Sequence, residues 1–521
     1  MNEYQHRLTE SGALEKHPMW VFFEEICAIP HGSGNEGALA DYVETFAKDR
    51  GLYVYRDKQD DGVGANNVFI RLPASEGQED APAVLLQGHL DMVCEKESHI
   101  CHDFEKDGLD LFVEDGKIGA RGTTLGGDDG IAVAMMLAML DDPPKSHPAI
   151  ECLFTVCEET GLEGAYAFDP VAAGVTATTL INLDSECEGV VTAGCAGGMR
   201  TDITLPVSCV PFTGTAVEVC VDGFSGGHSG VEIHEGHKNA VKVLGELLLY
   251  AFETEICPCA LTLCEISGGG KDNAIPRSAK AVLAVDTKDE AVTRELCRAI
   301  ETYAEGLRAR PDVISADKAF TCTCACACAR LSADATATPA YMFCQGTDEV
   351  LSLLTLARDG VLSMSADVSG MVAYSRNLGI LRTLFDKNEK QSSPVAVQVS
   401  FSTRSACEGH LDSAQRELSR LAKTCHKNAN VVHYARYPGW DFSAVSPLRE
   451  KWLSLYQETF GRPCRVEVIH AGLECGILRS RMPWLDVISV GPDILNIHTP
   501  KERLDVASSQ RVYQILKKMI S

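Results

Sequence analysis

The chain has 521 residues, 45% of them apolar and 23% charged, the mixture of an ordinary globular protein. At that length folding buries roughly three quarters of the unfolded surface, so a core does not depend on disulfides. Asp and Glu outnumber Lys and Arg by 73 to 47, a net charge of −26. That balance excludes broad binding to nucleic-acid phosphates or anionic lipid, and it leaves room for cationic partners, divalent metals among them.

Met1 to Pro18 is polar, carries mixed charge and lacks the apolar stretch of a signal peptide. The longest apolar run, Ile131 to Leu140, is far short of the ~20 residues that span a bilayer. A soluble cytoplasmic protein with no membrane partner is expected. In that setting the 22 cysteines are expected to be reduced thiols.

Strand and helix signals alternate through the first part. Gly37 to Asp49 reads as a helix, Val68 to Leu72 and Ala83 to Gln87 as strands, and Gly130 to Leu140 as a helix opened by Asp128 and Asp129. Glu151 to Cys157 and Thr179 to Leu183 read as further strands. The texture changes at Gly194-Cys195-Ala196-Gly197-Gly198 and again at Tyr437-Pro438-Gly439-Trp440, where glycine and proline mark boundaries. The tail returns to alternation, with a helix near Leu448 to Phe460 and a strand at Val487 to Val490. The fold class expected is α/β: a catalytic domain (1–193 and 441–521) with a mostly parallel sheet flanked by helices, interrupted by an inserted α+β lid domain (194–440).

Two segments of the insert look alike. Val282 to Asp286 precedes Arg294-Glu295-Leu296-Cys297-Arg298, and Val397 to Phe401 precedes Arg416-Glu417-Leu418-Ser419-Arg420. This pattern suggests a duplicated β-α unit, although so short a match also arises by chance. The dense run Cys322, Cys324, Cys326, Cys328 alternates with period two, which puts all four thiols on one face of a strand. Its ends would be about 20 Å apart, so they cannot share one zinc, whose bonds to sulfur are ~2.3 Å. A packed strand face is the expectation.

The chemistry gathers at strand ends. His89-Leu90-Asp91 follows one strand, Glu158-Glu159 another and Asp184 a third; Asp128-Asp129 opens a helix, and His498 sits in a late loop. Taken singly, each acid is as well read as solvated or capping a helix, and Asp128 makes a good N-cap. Together they fall where open α/β sheets bind ligands. Carboxylates collected there repel one another unless cations compensate, and imidazole with carboxylate suits zinc, cobalt or manganese.

Gln87-Gly88-His89-Leu90-Asp91, Gly126-Gly127-Asp128-Asp129-Gly130, Glu158-Glu159, Asn182-Leu183-Asp184, Gly226-Gly227-His228-Ser229-Gly230, Asn273-Ala274-Ile275-Pro276-Arg277, His470-Ala471-Gly472-Leu473-Glu474 and His498 occur in an order similar to that of the co-catalytic zinc exopeptidases. Among these the chain resembles the aminoacyl-histidine dipeptidases, from about residue 20 to 505. The resemblance implies two divalent metal ions, zinc with cobalt or manganese as alternatives. His89 and Asp184 would hold one, Glu159 and His498 the other, and Asp128 would bridge them, with a cis peptide bond between Asp128 and Asp129. Glu158 would be the general base acting on a metal-bridged hydroxide or water, Asp91 would orient His89, and His228 would contact the scissile carbonyl oxygen. Asn273 and Arg404 are candidates for the substrate carboxylate and Glu474 for its α-amine.

The implied activity is hydrolysis of dipeptides with a free amino terminus, of the Xaa-His (β-alanyl-histidine) type and more broadly. Partners would be small peptides, not nucleic acid, and the chain a monomer or homodimer. Another amide hydrolase on the same scaffold (aminopeptidase, tripeptidase or N-deacylase) is the first alternative, and a non-catalytic metal- or thiol-binding protein the second. Related enzymes often carry asparagine where this chain has Asp129.

Overall fold

A computed structural model describes residues 7–57, 66–212, 214–253, 260–326, 341–366, 368, 370–386 and 393–521. The chain divides into two units: Met1–Cys195 with Trp440–Val468 and Leu473–Ser521, and Ala196–Gly439 with Ile469–Gly472. The changes of texture at Gly194 and Trp440 fall at these junctions.

The first unit is built on an eight-stranded sheet in the order Tyr53–Arg56, Val68–Leu72, Ile150–Thr155, Val84–His89, Thr179–Asn182, Asp486–Ser489, Val190–Cys195, Arg465–Ile469. Ile150–Thr155, Val84–His89, Thr179–Asn182 and Asp486–Ser489 run parallel to one another, while Val68–Leu72 and Ser489 with Thr192 pair antiparallel. Parallel strands need crossovers, and crossover helices cover both faces, which explains why Leu85, Leu86, Cys152, Leu153, Leu180 and Ile181 are all fully buried. The helix Gly127–Asp141 supplies one crossover. Its sequence has no polar face past Gly130, so it can be stable only in the interior, and it is buried from Gly127 to Leu140. It lies against the helix Pro18–Cys27 and the strand Val84–His89. The sequence reading starts this helix at Gly130, and regular helical geometry does begin there, since Asp128 and Asp129 in the preceding turn are off helical geometry.

Four adjacent parallel strands deliver their carboxyl ends to one edge. His89 stands level with Thr155, and Gln87 and Ser489 are both level with Asn182. The segments that follow, reaching Asp91, Glu158, Asp184 and His498, therefore start from the same edge.

The second unit carries a nine-stranded antiparallel sheet, in the order Thr321–Cys326, Thr215–Asp222, Ala279–Val285, Leu261–Gly268, Val372–Phe385, Pro394–Ser405, Gly197–Pro206, Asn430–Tyr437, with Gly360–Met364 added on Val372–Phe385. About its centre the order is mirrored. Ala279–Val285, the helix Glu290–Arg308 and the edge strand Thr321–Cys326 on one side match Pro394–Ser405, the helix Glu408–Cys425 and the edge strand Asn430–Tyr437 on the other. The two similar sequence segments are the matching strand–helix pieces. Cys322, Cys324 and Cys326 stand opposite Val221, Val219 and Val217, so their thiols share the face of those valines, and Cys322 and Cys324 are buried in the core. Cys328 lies outside the described residues.

Candidate active site

Asp128 is the centre of the first unit's polar cluster. It does not cap its helix: its φ of −84° and ψ of 102° are extended, the Asp128–Asp129 peptide bond is cis, and Gly126 stands in the N-cap position with a φ of 66°. The two oxygens of Asp128 face different imidazoles. Oδ1 is 3.0 Å from Nε2 of His89, and Oδ2 is 3.2 Å from Nε2 of His498. Asp184 Oδ1 is 3.4 Å from the same His89 nitrogen, and Glu159 Oε1 is 2.9 Å from that of His498. Ligand atoms of Asp128, Glu159 and His498 lie within 4.8 Å of one another, as do those of His89, Asp129 and Asp184, and those of His89, Glu158 and Glu159.

His89 is oriented from behind. Its Nδ1 faces the backbone carbonyl of Asp91 at 3.0 Å and the Asp91 carboxylate at 3.4 Å, both acceptors, so that nitrogen carries the proton of the neutral ring. Nε2 then turns a lone pair towards the oxygens of Asp128 and Asp184. Acceptor facing acceptor at 3.0–3.4 Å is unfavourable without a cation between them. Asp91 also fixes the neighbouring loop, accepting the backbone N–H groups of Glu158 at 2.9 Å and Glu159 at 3.2 Å, and the Ser33 hydroxyl at 2.8 Å.

The electrostatics make the same demand for positive charge. Burial, reinforced by neighbouring carboxylates, pushes Asp184 up to about 7 and Glu186 up to about 7, and pushes Glu158 and Asp129 well above the carboxylate range. Burial opposes charging of His89, but Asp184, Asp128 and Asp91 outweigh it and raise its pKa well above the usual value. Hydrogen bonds to Asp128 and Glu159 lift His498 to about 10. Two imidazolium charges cannot offset five crowded carboxylates, Asp128, Asp129, Glu158, Glu159 and Asp184. Divalent cations can, and this donor set of imidazole and carboxylate fits them.

Glu474 is fully buried. Its Oε2 accepts from Gln87 Nε2 at 2.6 Å and Thr155 Oγ1 at 2.8 Å, while Oε1 has no partner among the described residues; burial pushes the group up to about 7.

His228, Asn273 and Arg404 belong to the second unit. His228 closes the short strand Gly227–His228, paired with Ala274–Ile275, so Asn273 flanks it. Its Nδ1 accepts from the N–H groups of Gly230 at 3.3 Å and Val231 at 3.1 Å, which assigns the ring proton to Nε2. Burial, then the Arg404 charge, holds its pKa below the usual value, so the ring is a neutral donor. Arg404 donates to Tyr437 at 3.0 Å through Nη1, and its buried Nε has no partner among the described residues. A cavity of about 860 Å³ is lined by Gly227, His228, Lys271, Asn273 and Arg277.

The sequence reading missed the carboxylates that hold the strand-end loops. Glu36 accepts from Gly34 at 3.0 Å and from the Cys157 N–H at 3.1 Å, where the chain turns at a φ of 52° just before Glu158. Glu502 lies against the backbone of residues 125–128. Glu502 lies four positions after His498, but nothing in the sequence links it to a loop some 375 residues earlier.

A carboxylate–imidazole cluster at the carboxyl edge of parallel strands, with an antiparallel α+β insertion in the chain, defines a metallohydrolase of the α/β class. Residues 85–521 match the profile of Peptidase family M20/M25/M40, and the chain belongs to that family. It is 34% identical over 517 residues to a cytosol non-specific dipeptidase of Escherichia coli strain K12, covering 98% of this chain and 99% of that one. The crystal structure of an aminoacylhistidine dipeptidase from Vibrio alginolyticus is 32% identical, with a TM-score of 0.85 over 100% of this chain and 99% of that one. An aminopeptidase PepT structure from Bacillus cereus shares the fold, at 16% identity and a TM-score of 0.56 over 96% and 97% of the two chains.

Proposed function

We propose that this protein is a metal-dependent dipeptidase that hydrolyses dipeptides with a free amino terminus, Xaa-His and β-alanyl-histidine among them. The observation that carries the reading is the division of Asp128 between His89 and His498, which is the donor pattern of a two-metal site. His89 and Asp184 would hold one divalent ion and Glu159 and His498 the other, with Asp128 common to both; zinc suits the donors, as do cobalt and manganese. Two such ions, when bound, supply Lewis acidity and make a water nucleophilic near neutral pH.

The chain's own groups do the rest. Glu158, held by the Asp91 grip on its backbone, takes a proton from the attacking water and returns it to the leaving amine. His228 donates Nε2–H to the scissile carbonyl oxygen as negative charge develops there. The unpartnered Nε of Arg404, with Asn273, suits the substrate carboxylate. The free Oε1 of Glu474 suits its ammonium. Recognition of both termini would separate a dipeptidase from an aminopeptidase, tripeptidase or N-deacylase. Among the described residues no helix is long and apolar enough to cross a membrane, and the proposed setting is the cytoplasm, as monomer or homodimer.

The test is hydrolysis of a free dipeptide, its N-acetyl form and the matching tripeptide, each with zinc, cobalt or manganese added. The reading expects metal-dependent cleavage of the free dipeptide alone. Faster cleavage of the tripeptide or the N-acetyl substrate would replace it with one of the alternatives.

A further inference from the structure

Glu502 is a carboxylate only 2% exposed, with no cationic side chain bonded to it among the described residues. Its partners are backbone amides. Oε2 accepts from Leu125 at 2.8 Å and Gly126 at 3.2 Å, and Oε1 from Gly127 at 2.8 Å and, more weakly, Asp128 at 3.4 Å. Four successive N–H groups thus converge on one anion, at the point where the backbone passes from the left-handed Gly126 through the extended Asp128 into the helix. These are amides the helix cannot satisfy internally, and a negative charge beside them is favoured.

The other end of Glu502 leads to His498. The intervening turn is closed by Glu502 N–H to the Thr499 carbonyl at 3.0 Å and the Thr499 hydroxyl to the Asn496 carbonyl at 2.7 Å. His498 itself has a φ of 59° and a side chain 44% exposed, the least buried of the candidate ligands. Its ring meets Asp128 and Glu159 but is otherwise little packed, so its placement leans on the backbone of its turn, and Glu502 moors that turn to the loop bearing Asp128.

We propose that Glu502 is a positioning residue for the metal centre: its carboxylate ties the His498 turn to the amides of residues 125–128 and so sets the separation of Asp128 and His498 before any ion binds. This rests on the two-metal reading above. The hydrogen bonds of the Glu502 carboxylate go to backbone N–H groups and not to ligand side chains. Its role is to make one of the two ion sites preformed.

The test uses the full-length protein stripped of metal and titrated with Mn(II), which favours oxygen and imidazole donors over the chain's many thiols; free Mn(II) is read by its paramagnetic resonance. The wild type is expected to take up two equivalents. Glu502→Gln keeps the size of the side chain but loses the anion that four amides share. It is expected to bind one equivalent about 10–100-fold more weakly, the usual cost of losing an outer partner of a metal ligand. Turnover should fall with KM little changed, and raised Mn(II) should restore it, with the thermal midpoint within a few degrees of wild type. Gly127→Ala is a second variant, since the added Cβ would stand 3.2 Å from Oε1; it should show the same defect in milder form. Lower thermal stability with unchanged Mn(II) affinity would reduce Glu502 to a structural anchor and overturn the proposal. Equal binding by both variants and wild type would do so as well, without touching the dipeptidase reading. A wild-type chain that binds no second equivalent would overturn both.

Discussion

Glu158 and Glu159 are neighbours whose N–H groups are both held by Asp91; Glu159 stands 2.9 Å from the His498 ring, whereas Glu158 comes only within 4.8 Å of His89. On the proposed reading Glu158 is the base and Glu159 the ligand. Glu158→Ala should lower turnover at least ~10²–10⁴-fold, the range for one general base, while metal analysis still finds two equivalents; loss of an equivalent from Glu158→Ala but not from Glu159→Ala would reverse the roles. His228 is poised differently. Its Nδ1 is occupied by two amides and its Nε2 is a neutral donor, so His228→Ala should remove an interaction made mainly in the transition state. Turnover is expected to drop about 10²–10³-fold with a small change in KM. Near-normal turnover on the best dipeptide would return this histidine to an ordinary place in its loop.

At the scale of elements, strand ends present the ligands and short segments lock them. In the second unit a short segment, Ile469–Gly472, carries His470, whose Nε2 meets the Ser375 hydroxyl at 2.7 Å. Burial first, then the Arg404 charge, pushes the His470 pKa down to about 3. The folded protein therefore keeps this ring neutral while the unfolded chain protonates it below about 6.5. Protons bind the unfolded state preferentially, so stability is lost as pH falls from about 6.5 towards 3, and the loss grows no further below that. Between pH 7 and pH 5 this one group costs about 2 kcal/mol, from one pKa unit being 1.36 kcal/mol. Urea unfolding of wild type and His470→Gln at both pH values checks it. The wild type should lose about 2 kcal/mol more than the variant, and parallel losses would show that the folded ring takes up its proton too.

At the scale of the molecule, every candidate ligand belongs to the first unit, and His228, Asn273 and Arg404 belong to the second. Removing divalent ions should thus act on one unit only. A ligand present at 100 times its dissociation constant stabilises the state that binds it by about 2.7 kcal/mol. Chelation should remove that protection and speed amide exchange in 84–91 and 125–130, with the strand Ala279–Val285 of the second unit unaffected. Equal acceleration in both units would mean that the metals stabilise the chain through something other than this cluster.

Local pattern was enough for much of this chain. Buried parallel strands have to be continuous apolar runs, and a helix without a polar face has to be interior, so Val84–His89, Thr179–Asn182 and the helix after Asp128 were legible with boundaries off by a few residues at most. Acids and histidines at the ends of such strands pointed to Asp91, Asp128, Glu158, Glu159, Asp184 and His498, because the carboxyl edge of a parallel sheet is where side chains converge. The strand order was not legible: pairing joins Asp486–Ser489 to Thr179–Asn182 across some 300 residues, and no local preference encodes such a partner. Nor could the chain show that Asp91 grips Glu158 and Glu159, or that Glu36 and Glu502 cradle the loops beside them. A lone glutamate reads as solvated surface until a backbone with unsatisfied N–H groups is folded against it, and only the tertiary structure brings those groups into reach.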